Sequence, residues 1–135
     1  MSNEITAQIS ISISKLPLSF KNQPTSFKMN LGGSYGPTPG SVLCATTGTD
    51  ISLSGVTMGG ICLIQNLDAT NFVTFGIHDG TIFTPIGELL ANDPPAFLRL
   101  SRHLLTGWLG TSGGSTLRIY ADTAAVNVLV QAFPP

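Results

Sequence analysis

The sequence predicts an all-β protein: an antiparallel β-sandwich, jelly-roll-like, of roughly eight to ten strands. Three observations lead there. Fifteen Gly and nine Pro cut the 135-residue chain into short pieces. Apolar residues recur with a period of two in most pieces. No stretch keeps the 3.6-residue spacing of a helix for long. The length suits a single sandwich domain over residues 1–135. Alternating faces of this kind need a second sheet to cover them.

The first segment alternates without interruption. Ile5, Ala7, Ile9, Ile11 and Ile13 share one face, and Thr6, Gln8, Ser10, Ser12 and Ser14 the other. The apolar face is expected to be buried, and the polar face carries no charge. Such an edge is adhesive unless it is paired. Residues 1–15 are therefore read in two ways: as a strand of the main sheet, or as an arm added to a neighbouring subunit through Ile5, Ile9, Ile11 and Ile13. Leu16-Pro17 ends the strand. Phe27, Met29 and Leu31 alternate with Lys28 and Asn30 as a second strand.

Leu31 to Gly40, with four glycines and two prolines around Tyr35, predicts a projecting loop. Short strands follow at Val42–Ala45 and Asp50–Ser54. Ile61–Asn66 and Asn71–Ile77 predict a hairpin, its turn held by Asp68 and Asn71. Asp79-Gly80 marks another turn, and Asn92-Asp93-Pro94-Pro95 a hard break before the strand Ala96–Leu100. Arg102–Leu109 is ambiguous and would allow one helical turn. Thr116–Ala121 and Ala125–Phe133 predict a closing hairpin.

Candidate chemistry is thin. Cys44 and Cys62 sit in apolar runs and read as buried free thiols; a disulfide stays open, because spacing does not place their Cβ atoms. No zinc-type grouping occurs, and no metal or other cofactor is expected. His78 and His103 have no polar partners at ligand or triad spacing. Seven acids are spread widely, and only Asp79 and Glu88, which flank one strand-like segment, suggest a glycosidase pair. There is no nucleophile elbow, phosphate-binding loop or dinucleotide fingerprint. The chain is therefore expected not to be an enzyme. Tyr35 and Trp108, both in Gly-rich surroundings, are the aromatics suited to a glycan or receptor, or else Trp108 packs as a lid over the sandwich.

The segment Gln65-Asn66-Leu67-Asp68-Ala69-Thr70-Asn71-Phe72-Val73-Thr74-Phe75-Gly76 resembles a pattern in small tailed-bacteriophage virion structural proteins. Phe97-Leu98-Arg99-Leu100-Ser101-Arg102 and the run from Leu117 to Ala132 are similar to later parts of that pattern. Where the pattern has Pro-Gly-Glu, this chain has Asn92-Asp93-Pro94-Pro95, and its N-terminal third has no counterpart. The resemblance implies a non-enzymatic particle component, a capsid decoration or tail-associated protein, with no catalytic residues to carry over.

Charge points the same way. Only 10% of residues are charged and the formal net charge is -1. That balance excludes a basic nucleic-acid groove or a polybasic membrane anchor, and leaves little repulsion between copies. The N-terminus lacks the basic and apolar regions of a signal peptide, and no apolar run is long enough to span a bilayer. The expected partners are copies of itself, as a trimer or other cyclic homo-oligomer, and other virion proteins. A glycan is the alternative ligand. The expected location is the virion, after synthesis in the host cytoplasm.

Overall fold

The computed structural model describes residues 5–22, 26–30, 38–53, 60–100 and 115–133. The chain divides into two compact units, Met1–Gly32 and Gly33–Pro135. All regular structure among the described residues is β.

The first unit holds β1 (Ile5–Ala7), β2 (Ile11–Lys15), β3 (Leu18–Asn22) and β4 (Phe27–Met29). β1 pairs with β4, and β2 pairs with β3, both antiparallel. The Ile/Ser run is thus not one strand. It breaks at residues 8–10, and each half takes its own partner. The expected burial of its isoleucines does not occur: Ile9, Ile11 and Ile13 are all exposed.

The second unit holds β5 (Thr38–Cys44), β6 (Thr49–Ile51), β7 (Ile61–Asn66), β8 (Val73–His78), β9 (Phe83–Leu89), β10 (Ala96–Arg99), β11 (Thr116–Ala121) and β12 (Val126–Phe133). They form two four-stranded sheets, ordered β10-β7-β12-β5 and β6-β11-β8-β9. The pairing is nested: β5 with β12, β6 with β11, β7 with β10, β8 with β9. The eight strands therefore behave as one long antiparallel hairpin. Rolling it up adds the contacts β12–β7 and β11–β8. This is the jelly roll.

The roll changes the meaning of two predicted hairpins. Ile61–Asn66 and Asn71–Ile77 lie in opposite sheets, as do Thr116–Ala121 and Val126–Phe133. Their connections cross between layers instead of joining hydrogen-bonded neighbours. The reason lies in burial. Both partners of each pair present an apolar stripe, and facing stripes bury more area than stripes side by side. The hydrogen-bonded hairpin of this region is β8–β9, turned at Asp79-Gly80, where Gly80 takes φ +95°.

β5 begins at Thr38, within the stretch expected to be loop, and β9 contains Pro85. Both are edge strands, where a missing N–H leaves no ladder bond unmade. The core lies between the sheets. Val126, Val128, Val130 and Ala132 of β12 are fully buried, with Cys62 and Ile64 beside them in the same sheet and Val73, Phe75, Leu117 and Ile119 supplied by the other. Burial of each such aliphatic contributes about 1.5–3 kcal/mol.

Candidate assembly surface

The β2–β3 hairpin is short, and alternation sorts its residues into two unlike faces. Ile11 stands opposite Asn22, and Ile13 opposite Phe20. Ser12 opposes Lys21, and Ser14 opposes Ser19 on the reverse. One face thus carries Ile11, Ile13 and Phe20 with Lys15 and Asn22 at its ends, and the other carries three serines with Lys21. The apolar face is not covered: Ile11, Ile13 and Phe20 are 52%, 49% and 52% exposed. Leu16, in the turn, is 98% exposed. A two-stranded hairpin is marginal in water on its own, and a water-facing apolar side deepens the cost.

Of the four isoleucines predicted for assembly, Ile11 and Ile13 share this face. Ile9 is exposed in the connection, and Ile5 is half-buried in β1 opposite Met29. Sequence reading missed Phe20. Its signal was there in Leu18-Ser19-Phe20-Lys21, a second alternating run directly after Leu16-Pro17. Tyr35, Trp108 and His103 lie outside the described residues.

An aromatic pair does occur elsewhere. Phe83 of β9 and Tyr120 of β11 meet with ring centroids 4.6 Å apart and planes inclined at 56°. Both project from the outward side of the β6-β11-β8-β9 sheet, because Phe75, Leu117 and Ile119 fill the inward side. Beside them Arg118 grips Asp50: Nε to Oδ1 at 2.5 Å and Nη2 to Oδ2 at 2.7 Å, while Thr116 Oγ1 donates to Oδ1 at 3.0 Å. That grip holds the Asp50 carboxyl below its ordinary 3.8, the Arg118 bonds outweighing desolvation.

Three other acids serve their own turns. Asp68 Oδ1 accepts the backbone N–H groups of Thr70 and Asn71, both at 2.7 Å. Asp79 Oδ1 accepts those of Ile82 at 2.6 Å and Thr81 at 2.9 Å. These bonds, from Asn71 and from Ile82 foremost, hold both carboxyls below 3.8. Asp93 Oδ2 accepts the Leu90 N–H at 2.8 Å. Asp79 is no partner for Glu88. Glu88 pairs with Thr74, and Asp79 lies five residues beyond Thr74, so their backbones are roughly 16 Å apart along the sheet. Glycosidase carboxylates sit within about 10 Å.

Folded-state pKa values below the unfolded ones mean that these three groups stabilise the fold above pH 3.8, and that the contribution disappears as pH falls through the depressed values. Urea midpoints are expected to stay level from about pH 7 to pH 5 and to fall below about pH 4. Asp50→Asn should flatten part of that fall. A midpoint that rises on acidification would contradict the assignment.

The cysteines are free and buried. Cys44 is in register with Val126, and Cys62 with Ala132. Six residues along β12 put them roughly 20 Å apart, far beyond the reach of a disulfide. Burial pushes the thiols up, Cys44 to about 11 and Cys62 to about 12. Among the described residues, no group of three or more His, Cys, Asp or Glu is placed to hold a metal ion. No helix among them is long and apolar enough to cross a membrane. No family model, no curated protein and no solved structure matches the chain.

Proposed function

We propose that this chain is a non-enzymatic structural component of a phage-like particle, a capsid decoration or tail-associated protein that assembles with its own copies through neutral β surfaces. The observation that carries this reading is the amphipathic β2–β3 hairpin. Its Ile11, Ile13 and Phe20 stand exposed on one face of the hairpin, with the serines of the other face behind them. A jelly roll accommodates such a role but does not by itself specify one. The particle context rests on the sequence resemblance above. A saccharide-binding role is the second reading, favoured by the Phe83–Tyr120 pair beside Asp50 and Arg118.

The test is native mass measurement over a wide concentration range. The wild-type chain is expected to be oligomeric, and Ile13→Asp with Phe20→Asp to be monomeric with an unchanged far-UV spectrum. Removing two apolar anchors worth about 1.5 kcal/mol or more each raises the dissociation constant by about a hundredfold or more. A wild-type chain that remains a monomer throughout, and that does not bind purified particles, overturns the proposal.

A further inference from the structure

The hairpin and the jelly roll differ in charge. Residues 11–22 contain Lys15 and Lys21 and no acid. Residues 79–93, which hold β9 and the turns at its two ends, contain Asp79, Glu88 and Asp93 and no Lys or Arg. β9 is also the edge of its sheet, and among the described residues no strand pairs with its outer side. Three large aliphatics stand exposed in this segment, Ile86 at 56% within β9 and Ile82 at 63% and Leu90 at 54% just beyond its two ends. Each apolar strip, one basic and one acidic, is a liability if left in water.

From this complementarity we infer that the β2–β3 hairpin of one copy packs across the β9 edge of a second copy. The inference rests on the assembly reading and names the partner surface. Ile11, Ile13 and Phe20 lie against Ile82, Ile86 and Leu90, and Lys15, on the same face of the hairpin, approaches the acids of the 79–93 segment. Hairpins gathered against one another would instead bring lysine beside lysine, a repulsion the β9 edge replaces with attraction. Pro85 in β9 removes one backbone donor, so the contact is side-chain packing more than strand addition. Donor and acceptor surfaces differ, which makes the contact heterologous, and each copy both gives and receives a hairpin. Such contacts close into a ring when the rotation between copies permits.

Cross-linking in mixed samples tests this. Ile13→Cys and Ile86→Cys are made separately, the native thiols being buried. The two variants are mixed and oxidised, and chains are sized under denaturing conditions, with native mass measured in parallel. A linked dimer that forms in the mixture and in neither variant alone is the expected result. Lys15→Glu should raise the dissociation constant about tenfold, Lys21→Glu on the reverse face should change it much less, and Glu88→Lys in the partner copy should recover much of the Lys15→Glu loss. Linkage in Ile13→Cys alone would place hairpin on hairpin and overturn the inference. So would intrachain linkage of an Ile13→Cys/Ile86→Cys double variant at high dilution. Oligomers that give no cross-link overturn the inference while leaving the assembly reading standing. A strictly monomeric wild-type chain overturns both.

Discussion

Replacing Gly76 with alanine is expected to lower the melting temperature by more than 10 °C. Gly76 lies on the outward side of β8, between Arg118 of β11 and Pro85 of β9, where the β8–β9 register slips. A Cβ there would run into the Thr84 carbonyl oxygen, and would stand 2.8 Å from Pro85 Cα and 2.9 Å from Phe83 Cε2. Two of those three obstacles are backbone, so no rotamer change relieves them. Overpacking typically costs about 1–3 kcal/mol and occasionally more, and rigid backbone puts this site at about 3. At about 4–8 °C per kcal/mol for a domain near 100 residues, the loss is about 12–24 °C. Circular dichroism melting of Gly76→Ala measures it. Adding Phe83→Ala should not restore the loss, because the Thr84 and Pro85 obstacles remain. A variant within about 3 °C of wild type would show that β9 can move aside.

Gly76 also shows what the sequence could not reveal. Alternation in Asn71–Ile77 marks the strand and its inward residues, Val73, Phe75 and Ile77. It is silent on the neighbour that approaches Gly76, because Pro85 and Gly87 obscure β9 as a strand. The same limit explains the misread hairpins. Period-two patterning says which residues face a core, not which sheet carries them. Ile61–Asn66 separated from Val73 by six residues fits a hairpin and a crossover equally well from local pattern. Only the nested pairing of all eight strands decides between them. For the assembly surface, the Ile/Ser run was conspicuous in the sequence, but its partner was not. Phe20 becomes visible as the facing residue once Leu16-Pro17 is recognised as the turn of a hairpin and not merely the end of a strand.

The short acidic side chains were more legible, because their chemistry is local. Asp68 and Asp79 accept N–H groups two and three residues ahead of themselves, a reach set by the side chain alone. Asp50 shows the opposite case. Its partner Arg118 is 68 residues away, and the pair exists because β6 and β11 are nested neighbours in the roll.

Asn66 is the position where a polar substitution should do most harm. It ends β7 with only 5% of its surface exposed, at the crossing from one sheet to the other. Its Nδ2 donates to the carbonyl oxygens of Asn71 at 2.8 Å and Leu89 at 3.1 Å. Its Oδ1 accepts the N–H of Asp68 at 2.9 Å. One side chain therefore fixes the start and end of the β7–β8 crossing and ties both to the last residue of β9. Leucine has the same branched arrangement of four side-chain heavy atoms, is somewhat bulkier, and makes none of these bonds. Asn66→Leu leaves two carbonyls and one N–H without their partner, at about 1–3 kcal/mol for each that stays dry. Water reaches part of the loop, so the expected net loss is about 3–4 kcal/mol, read from urea midpoints. Asn66→Asp separates lost bonding from lost packing. The carboxyl so introduced faces two carbonyl oxygens in a buried site, which raises its folded pKa and favours the protonated form, able to donate once. Against wild type, Asn66→Asp should then become less destabilising as pH falls from 7 toward 5, the reverse of the trend at Asp50. If Asn66→Leu loses under about 1 kcal/mol, or if Asn66→Asp shows no such pH dependence, the crossing is held by its packing and not by this amide.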